Sequence, residues 1–288
     1  MSAAEPACGL FRAEVAGAPA WVWCESGRAV ALAAGAAGEE LAAVVGLLRD
    51  PGVRARALAG GRELAAAEWL AARRLRPGRP GKALCLGRNF AEHAREFGLA
   101  PPPELVWFAK LPDVLTGPGA AVPIPAWLQG RVDPEAEVVV LIGAALSDAS
   151  LEEAEAALAA YTLGNDVTAR GQVAEDRKRG WPWLRCKNLA GFGPLGPAWV
   201  PAPVLGALAA IELRGLVDGE LRQCAKLGDL LWSPAAALAE ISRWTPLLAG
   251  DVVFLGTPAG VAPVHPGELL QVEADGLGRL ENPVTTRA

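Results

Sequence analysis

The spacing of apolar positions changes several times along this chain, and each change predicts an element. Residues 8–33 form short apolar runs broken at Ala16–Ala20 and Ser26–Gly27, the texture of short strands joined by turns. In "GEELAAVVGLLRDPG", 38–52, Leu41, Val44, Val45 and Leu48 recur at helical spacing, and Pro51-Gly52 predicts the stop. A second helix is predicted over Glu63–Leu75. The punctuating "RPGRPGK", 76–82, predicts a boundary between a small N-terminal α+β domain, 1–79, and a larger unit, 80–288. Beyond it, "KALCLG", "VVVLIG" and "GDVVFLG" are unbroken apolar runs, as in strands buried on both faces. "IELRGLVDGELRQC" predicts a hairpin turning at Asp218-Gly219. "SLEEAEAALAAY" predicts a helix with Ser150 and Glu153 as a capping box, and "SPAAALAEISRW" one with Ser233 as N-cap and Pro234 first. The fold class is therefore α+β and β-rich.

One buried strand begins with an anomaly. "RVDPEAEVVVLIG", 131–143, places Glu135 and Glu137 at the mouth of an apolar run. Residues i and i+2 of a strand share a face, so two carboxylates enter the interior side by side, where repulsion and burial both oppose ionisation. In "YTLGNDVTARGQ", Asp166 follows an apolar strand and precedes a helix start. Three carboxylates without Cys or His suit Mg²⁺, Mn²⁺ or Ca²⁺ rather than zinc, and a cation would relieve the repulsion. A salt-bridged structural cluster is the alternative.

Other residues invite chemistry less sharply. "GRNFAEHAREFG", 87–98, predicts a helix of about two turns, with Asn89 as N-cap and Gly98 as stop. It sets His93 and Glu96 at i and i+3, either a general-base pair or an exposed ion pair. Lysine is scarce, at five against 22 arginines, so Lys110 after "LVWF" and Lys187 in a Gly/Pro-rich loop stand out, though each can snorkel to solvent. "LGTPAGV" offers the Thr257 hydroxyl in a turn that can hold a carboxylate.

Composition narrows the classes. The chain of 288 residues is 52% hydrophobic and 20% charged, so it reads as globular. A net charge of −5 gives no footprint for nucleic acid. No apolar run approaches the roughly 18–20 residues of a membrane span. Five cysteines without close pairs point to a reducing, cytoplasmic setting, and the start lacks a basic secretory n-region.

Taken in order, "CLGRNFAEHAREFG", "FAK", "VDPEAEVVVLIGAAL", "YTLGNDVTAR", "WPWLRCKNLAGFGPLGP", "VDGELRQ", "GDVVFLGTPAGV" and "LENPV" resemble the fumarylacetoacetate hydrolase superfamily over roughly residues 80–288. The resemblance implies a catalytic domain of mixed sheets rolled into a barrel-like core. It implies Mg²⁺ or Mn²⁺ on Glu135, Glu137 and Asp166, and a lid helix carrying His93 and Glu96 over substrate. Lys187 would be catalytic beside them, with Arg170, Lys110 and Thr257 binding substrate, and the protein would be a homodimer. "EDRKRGWPW" is similar to the acylpyruvate-cleaving branch, implying hydrolysis of a C–C bond in a small 2,4-dioxo acid. The alternatives are an isomerase or decarboxylase of ring-fission products or oxaloacetate, and a silent paralogue that binds metal and dicarboxylate. The chain departs from that branch at Gly171, where an acid is common, and at Val173, where glutamine is common. It also has Asp218 for Asn and Ala190 for Asp. Gln172 is the residue that could shift into the glutamine's place.

Overall fold

The computed structural model describes residues 5–33 and 38–287. Its frame is an eleven-stranded sheet. In that sheet Ala136–Ile142 lies between two antiparallel neighbours, Leu158–Asn165 and Val252–Phe254. Every residue of Ala136–Ile142 is buried, because both faces of the strand are covered. Val138, Val140 and Ile142 enter a core with Leu238 and Ile241 of the helix Pro234–Ser242. Val139 and Leu141 enter another with Phe254 and Trp199. That double burial is why the run shows no alternation.

Val252–Phe254 pairs in parallel with Ala83–Gly87, making the sheet mixed. A second sheet of five strands contains the hairpin Glu212–Val217 and Glu220–Lys226, whose turn is Asp218-Gly219, both at positive φ. The β-rich α+β architecture is as expected, but the large sheet stays open, with Arg62–Glu63 at one edge and Val106–Lys110 at the other, and closes no barrel. The segment predicted as a separate N-terminal domain continues this same sheet: Cys8–Val15 pairs with Gly193–Pro201 through Leu10↔Trp199 and Phe11↔Ala198.

Several helix boundaries differ from the sequence reading. The helix predicted to stop at Pro51 is a 3₁₀ turn, Leu41–Ala43, followed by Val45–Arg49. Pro51 instead opens a further helix, Pro51–Ala59, because the Asp50 carboxylate accepts from the N–H groups of Gly52 and Val53. Of Glu63–Leu75, only Ala66–Ala71 is helical. The following residues run back along the first strand, with Glu14 N–H donating to the Arg73 carbonyl and Leu75 N–H to that of Arg12. The capping box of Ser150 forms, but its helix ends at Ala156, and Leu158 already belongs to a strand. Ser233 and Pro234 start their helix as predicted.

Candidate active site

The three carboxylates meet. Glu135, Glu137 and Asp166 are buried and each offers an oxygen within 4.8 Å of the others. Two strand ends bring them together, since Ala136 pairs with Asn165 and Asp166 N–H donates to the Glu135 carbonyl. The Asn165 side chain accepts from Glu135 N–H at 2.9 Å, fixing the backbone between them.

Their electrostatics are unequal. The Lys187 ammonium donates to Glu135 at 2.7 Å and to Asp166 at 2.5 Å, and Arg170 pairs with Glu135 as well. Burial would raise the Glu135 carboxyl, but Lys187, Arg170 and His93 outweigh it and hold it below the usual carboxylate range. The same two acids keep the buried Lys187 charged by outweighing its desolvation. Glu137 has no salt bridge among the described residues; Gly256 N–H donates to it at 2.7 Å. Burial first, then the charges of Asp166 and Glu135, push its carboxyl well above the usual range.

The residues present fit a divalent cation. Asp166 Oδ1 is buried without a hydrogen bond. Lys110 Nζ stands 2.8 Å from it, but directs its hydrogen bonds to the carbonyls of Lys187 and Phe192. Three buried carboxylate oxygens within reach of one another, with Glu137 raised by burial and by the other two acids, are what a divalent cation would satisfy.

Glu135 and Glu137 open onto a cavity of about 780 Å³, with Asp166 clustered beside them. His93, Glu135, Glu137, Arg170, Lys187 and Thr257 line it, together with Leu86, Phe97, Leu99, Phe108, Val173 and Trp183. His93 lies on the helix Ala91–Glu96, with Nδ1 3.2 Å from Glu96 Oε2 and its ring edge-on to Phe97. Burial, ahead of the opposing charge of Glu135, keeps its pKa below the ordinary imidazole value. Glu96 also accepts from Gly260 N–H at 3.1 Å, tying this helix to the loop that carries Thr257.

Two expectations fail here. Asn89 does not cap the helix. The cap position is Phe90, and the Asn89 amide instead bonds the Trp232 and Leu255 carbonyls and Trp232 N–H. Neither Lys110 nor Lys187 snorkels, as both are buried. Lys110 stands against Asp166, with Nζ 2.8 Å from Oδ1.

The departures from the acylpyruvate branch have physical counterparts. A side chain at Gly171 would meet the Gln129 carbonyl oxygen at 2.8 Å, so the packing of this loop requires glycine. The Gln172 amide donates to Asp176, which Arg185 also engages, and so is held away from the cavity that Val173 lines. Ala190 is exposed.

Sequence reasoning missed Asp133 and Gln223. Asp133 is fully buried and ion-paired with both Arg131 and Arg170, orienting the latter. Gln223 joins Ala136 N–H to Thr257. Asp133 stands in the quoted motif, two residues before Glu135, and that proximity was the available signal. Gln223 likewise ends the quoted "VDGELRQ", but its partners are distant in sequence and its role could not be read from that position.

Fold and site together define a β-rich protein with a buried carboxylate cluster fit for a hard cation. The model of the fumarylacetoacetate (FAA) hydrolase C-terminal family matches residues 82–285, and the chain belongs to this family. It is 36% identical over 195 residues to an oxaloacetate tautomerase of Escherichia coli K12, covering 68% of this chain and 89% of that one. The fold is similar to a fumarylacetoacetate hydrolase from Exiguobacterium antarcticum, with TM-score 0.81, 29% identity, and coverage of 97% and 100% of the two chains. A fumarylpyruvate hydrolase from Pseudomonas aeruginosa, solved with Mn²⁺ and pyruvate, is similar with TM-score 0.67 and 35% identity, over 72% of this chain and 90% of that one.

Proposed function

We propose that this protein is a divalent-metal-dependent hydrolase that cleaves a C–C bond in a small 2,4-dioxo acid. The observation that carries this reading is His93, paired with Glu96 and lining the same cavity as Glu135 and Glu137, with Asp166 clustered beside those two acids. Glu135, Glu137 and Asp166 would hold Mg²⁺ or Mn²⁺, which when bound supplies Lewis-acid polarisation of a substrate carbonyl and charge stabilisation of the departing enolate.

The remaining work falls to the chain. Glu96 holds one ring nitrogen of His93, and burial keeps the ring neutral near pH 7, so it can take a proton from water. The water oxygen bonds to the distal carbonyl carbon, and the bond between that carbon and the methylene breaks. Its electron pair leaves with the 2-oxo acid fragment, which takes up a proton. Lys187 and Arg170 place positive charge where oxyanion and carboxylate charge gather. Thr257 binds the carboxylate. Lys110 acts from behind, on Asp166, rather than on substrate. Phe97, Leu99 and Phe108 keep bulk water from the reacting carbons.

A second reading is favoured by Val173, which puts a side chain without hydrogen-bonding groups at its point of the cavity wall. A site that moves only a proton, as an isomerase or oxaloacetate tautomerase does, or that releases CO₂ and then protonates the carbon left behind, as a decarboxylase does, has no attacking water to place. The name of the Escherichia coli relative supports it. Assay with Mg²⁺ and Mn²⁺ across acylpyruvates, oxaloacetate and ring-fission acids, with product analysis, separates the readings. Hydrolysis yields a carboxylic acid and a 2-oxo acid. Proton exchange or loss of CO₂ without that pair of products would sink the hydrolase reading.

A further inference from the structure

On the strand Glu220–Lys226, Gln223 is the single buried residue, and it is polar. Buried amides need partners, and these partners say what this one does. Ala136 N–H donates to Oε1 at 3.0 Å, while Nε2 donates to Thr257 Oγ1 at 2.7 Å and to the Pro258 carbonyl at 2.7 Å. The flipped amide would set N–H against N–H and oxygen against oxygen, so the network itself fixes the orientation. Because Thr257 Oγ1 accepts from Gln223, its own proton must point elsewhere. No described residue accepts that proton, and Thr257 lines the cavity.

We propose that Gln223 is a positioning residue: it makes the Thr257 hydroxyl a donor aimed at the carboxylate of a bound 2-oxo acid. Through Ala136 N–H it also sets that donor relative to Glu135 and Glu137, which flank Ala136. The loop cannot drift from this strand, because its Gly260 packs so closely that a side chain there would meet the Arg222 carbonyl oxygen at 2.0 Å. The inference rests on the reading of the cavity as the substrate site.

The probe is oxalate, a small planar dianion shaped like a 2-oxo carboxylate, titrated by calorimetry into the Mg²⁺-loaded full chain. Thr257→Val should weaken it about tenfold, the usual loss for one hydrogen bond to a charged group. Gln223→Glu places an acceptor against Thr257 Oγ1 and turns the hydroxyl proton away from the cavity, so it should weaken oxalate by a similar factor. Gln223→Met, of similar length, leaves the hydroxyl free to rotate and should cost less. In both variants KM should rise more than kcat falls, and the difference between Glu and Met should vanish in the Thr257→Val background. Equal effects of Glu and Met, or a difference that persists without the Thr257 hydroxyl, would overturn the proposal. So would unfolding of both variants at 25 °C, which places the effect in stability alone. If Thr257→Val leaves oxalate binding and KM unchanged, the reading of the cavity is at fault and the proposal falls with it.

Discussion

At the scale of single residues, the unequal charge environments of the three acids lead to distinct expectations. Glu137 alone of the three forms no salt bridge among the described residues, so it gains most from a bound ion. Glu137→Ala should leave the fold intact, remove a repulsive charge, and abolish metal-dependent turnover. Calorimetric titration with Mn²⁺ checks this, and unchanged affinity would show that the cluster is not the metal site. His93→Ala should lower kcat by about 10²–10⁴, the usual worth of a general base, with metal affinity nearly unchanged. Because the His93 pKa is depressed, the base form is present at neutral pH, and activity should fall on acidification only below the ordinary imidazole range. Glu96 raises that pKa, so Glu96→Gln should move the acid limb to lower pH while reducing kcat. An acid limb that moves upward, or not at all, would place the base elsewhere. Val173→Gln restores a polar group to the cavity wall, and one such contact in a transition state is worth about 10²–10³ in rate. It should favour a short acylpyruvate over a bulky one, and an unchanged ratio of kcat/KM for the two would show the position to be neutral.

Elements were legible where their signals are local and obscure where a distant partner decides. Glu135 and Glu137 could be read as facing acids because strand geometry alone puts i and i+2 together. Ser150 and Ser233 could be read as caps because each bonds an amide three residues on. Pro51 was misread because proline both ends one helix and starts the next, and only the Asp50 cap decides between them. Asn89 was misread because its amide partners lie 143 and 166 positions away. The helix Ala91–Glu96 belongs to both groups. Its stop at Gly98, at φ 67°, was readable, but its tether from Glu96 to Gly260 was not. That tether is one hydrogen bond on a helix of six residues, too short to persist alone. Amides of residues 91–98 should therefore exchange hydrogen quickly in the free protein and more slowly with oxalate bound. Equal protection in both states would count against the helix as a lid.

For the whole molecule, the N-terminal segment poses the sharpest question. The Exiguobacterium antarcticum hydrolase aligns over 97% of this chain and the Pseudomonas aeruginosa one over 72%. In this chain the segment is not a loose appendage. Leu10, Trp21, Leu41 and Leu48 share a core with Trp199, Leu195 and Phe254, and the Trp199 indole N–H donates to the Pro77 carbonyl at 2.6 Å. Removing residues 1–79 would strip one side of Gly193–Pro201, a wholly buried strand, and leave an apolar edge with unpaired backbone groups. Each large side chain so exposed forfeits about 1.5–3 kcal/mol, and for a domain of this size each 1 kcal/mol is worth about 2–4 °C. The truncated chain should therefore lose about 10 °C or more in Tm and self-associate in size-exclusion chromatography. Glu137 stands on a strand beyond that edge, with Glu135 and Asp166 next to strand ends there, so residual soluble protein should still bind Mn²⁺. A truncated chain that stays unaggregated with an unchanged Tm would show that the catalytic unit stabilises itself. The sheet that runs through both segments would then be an accessory to the site and not its support.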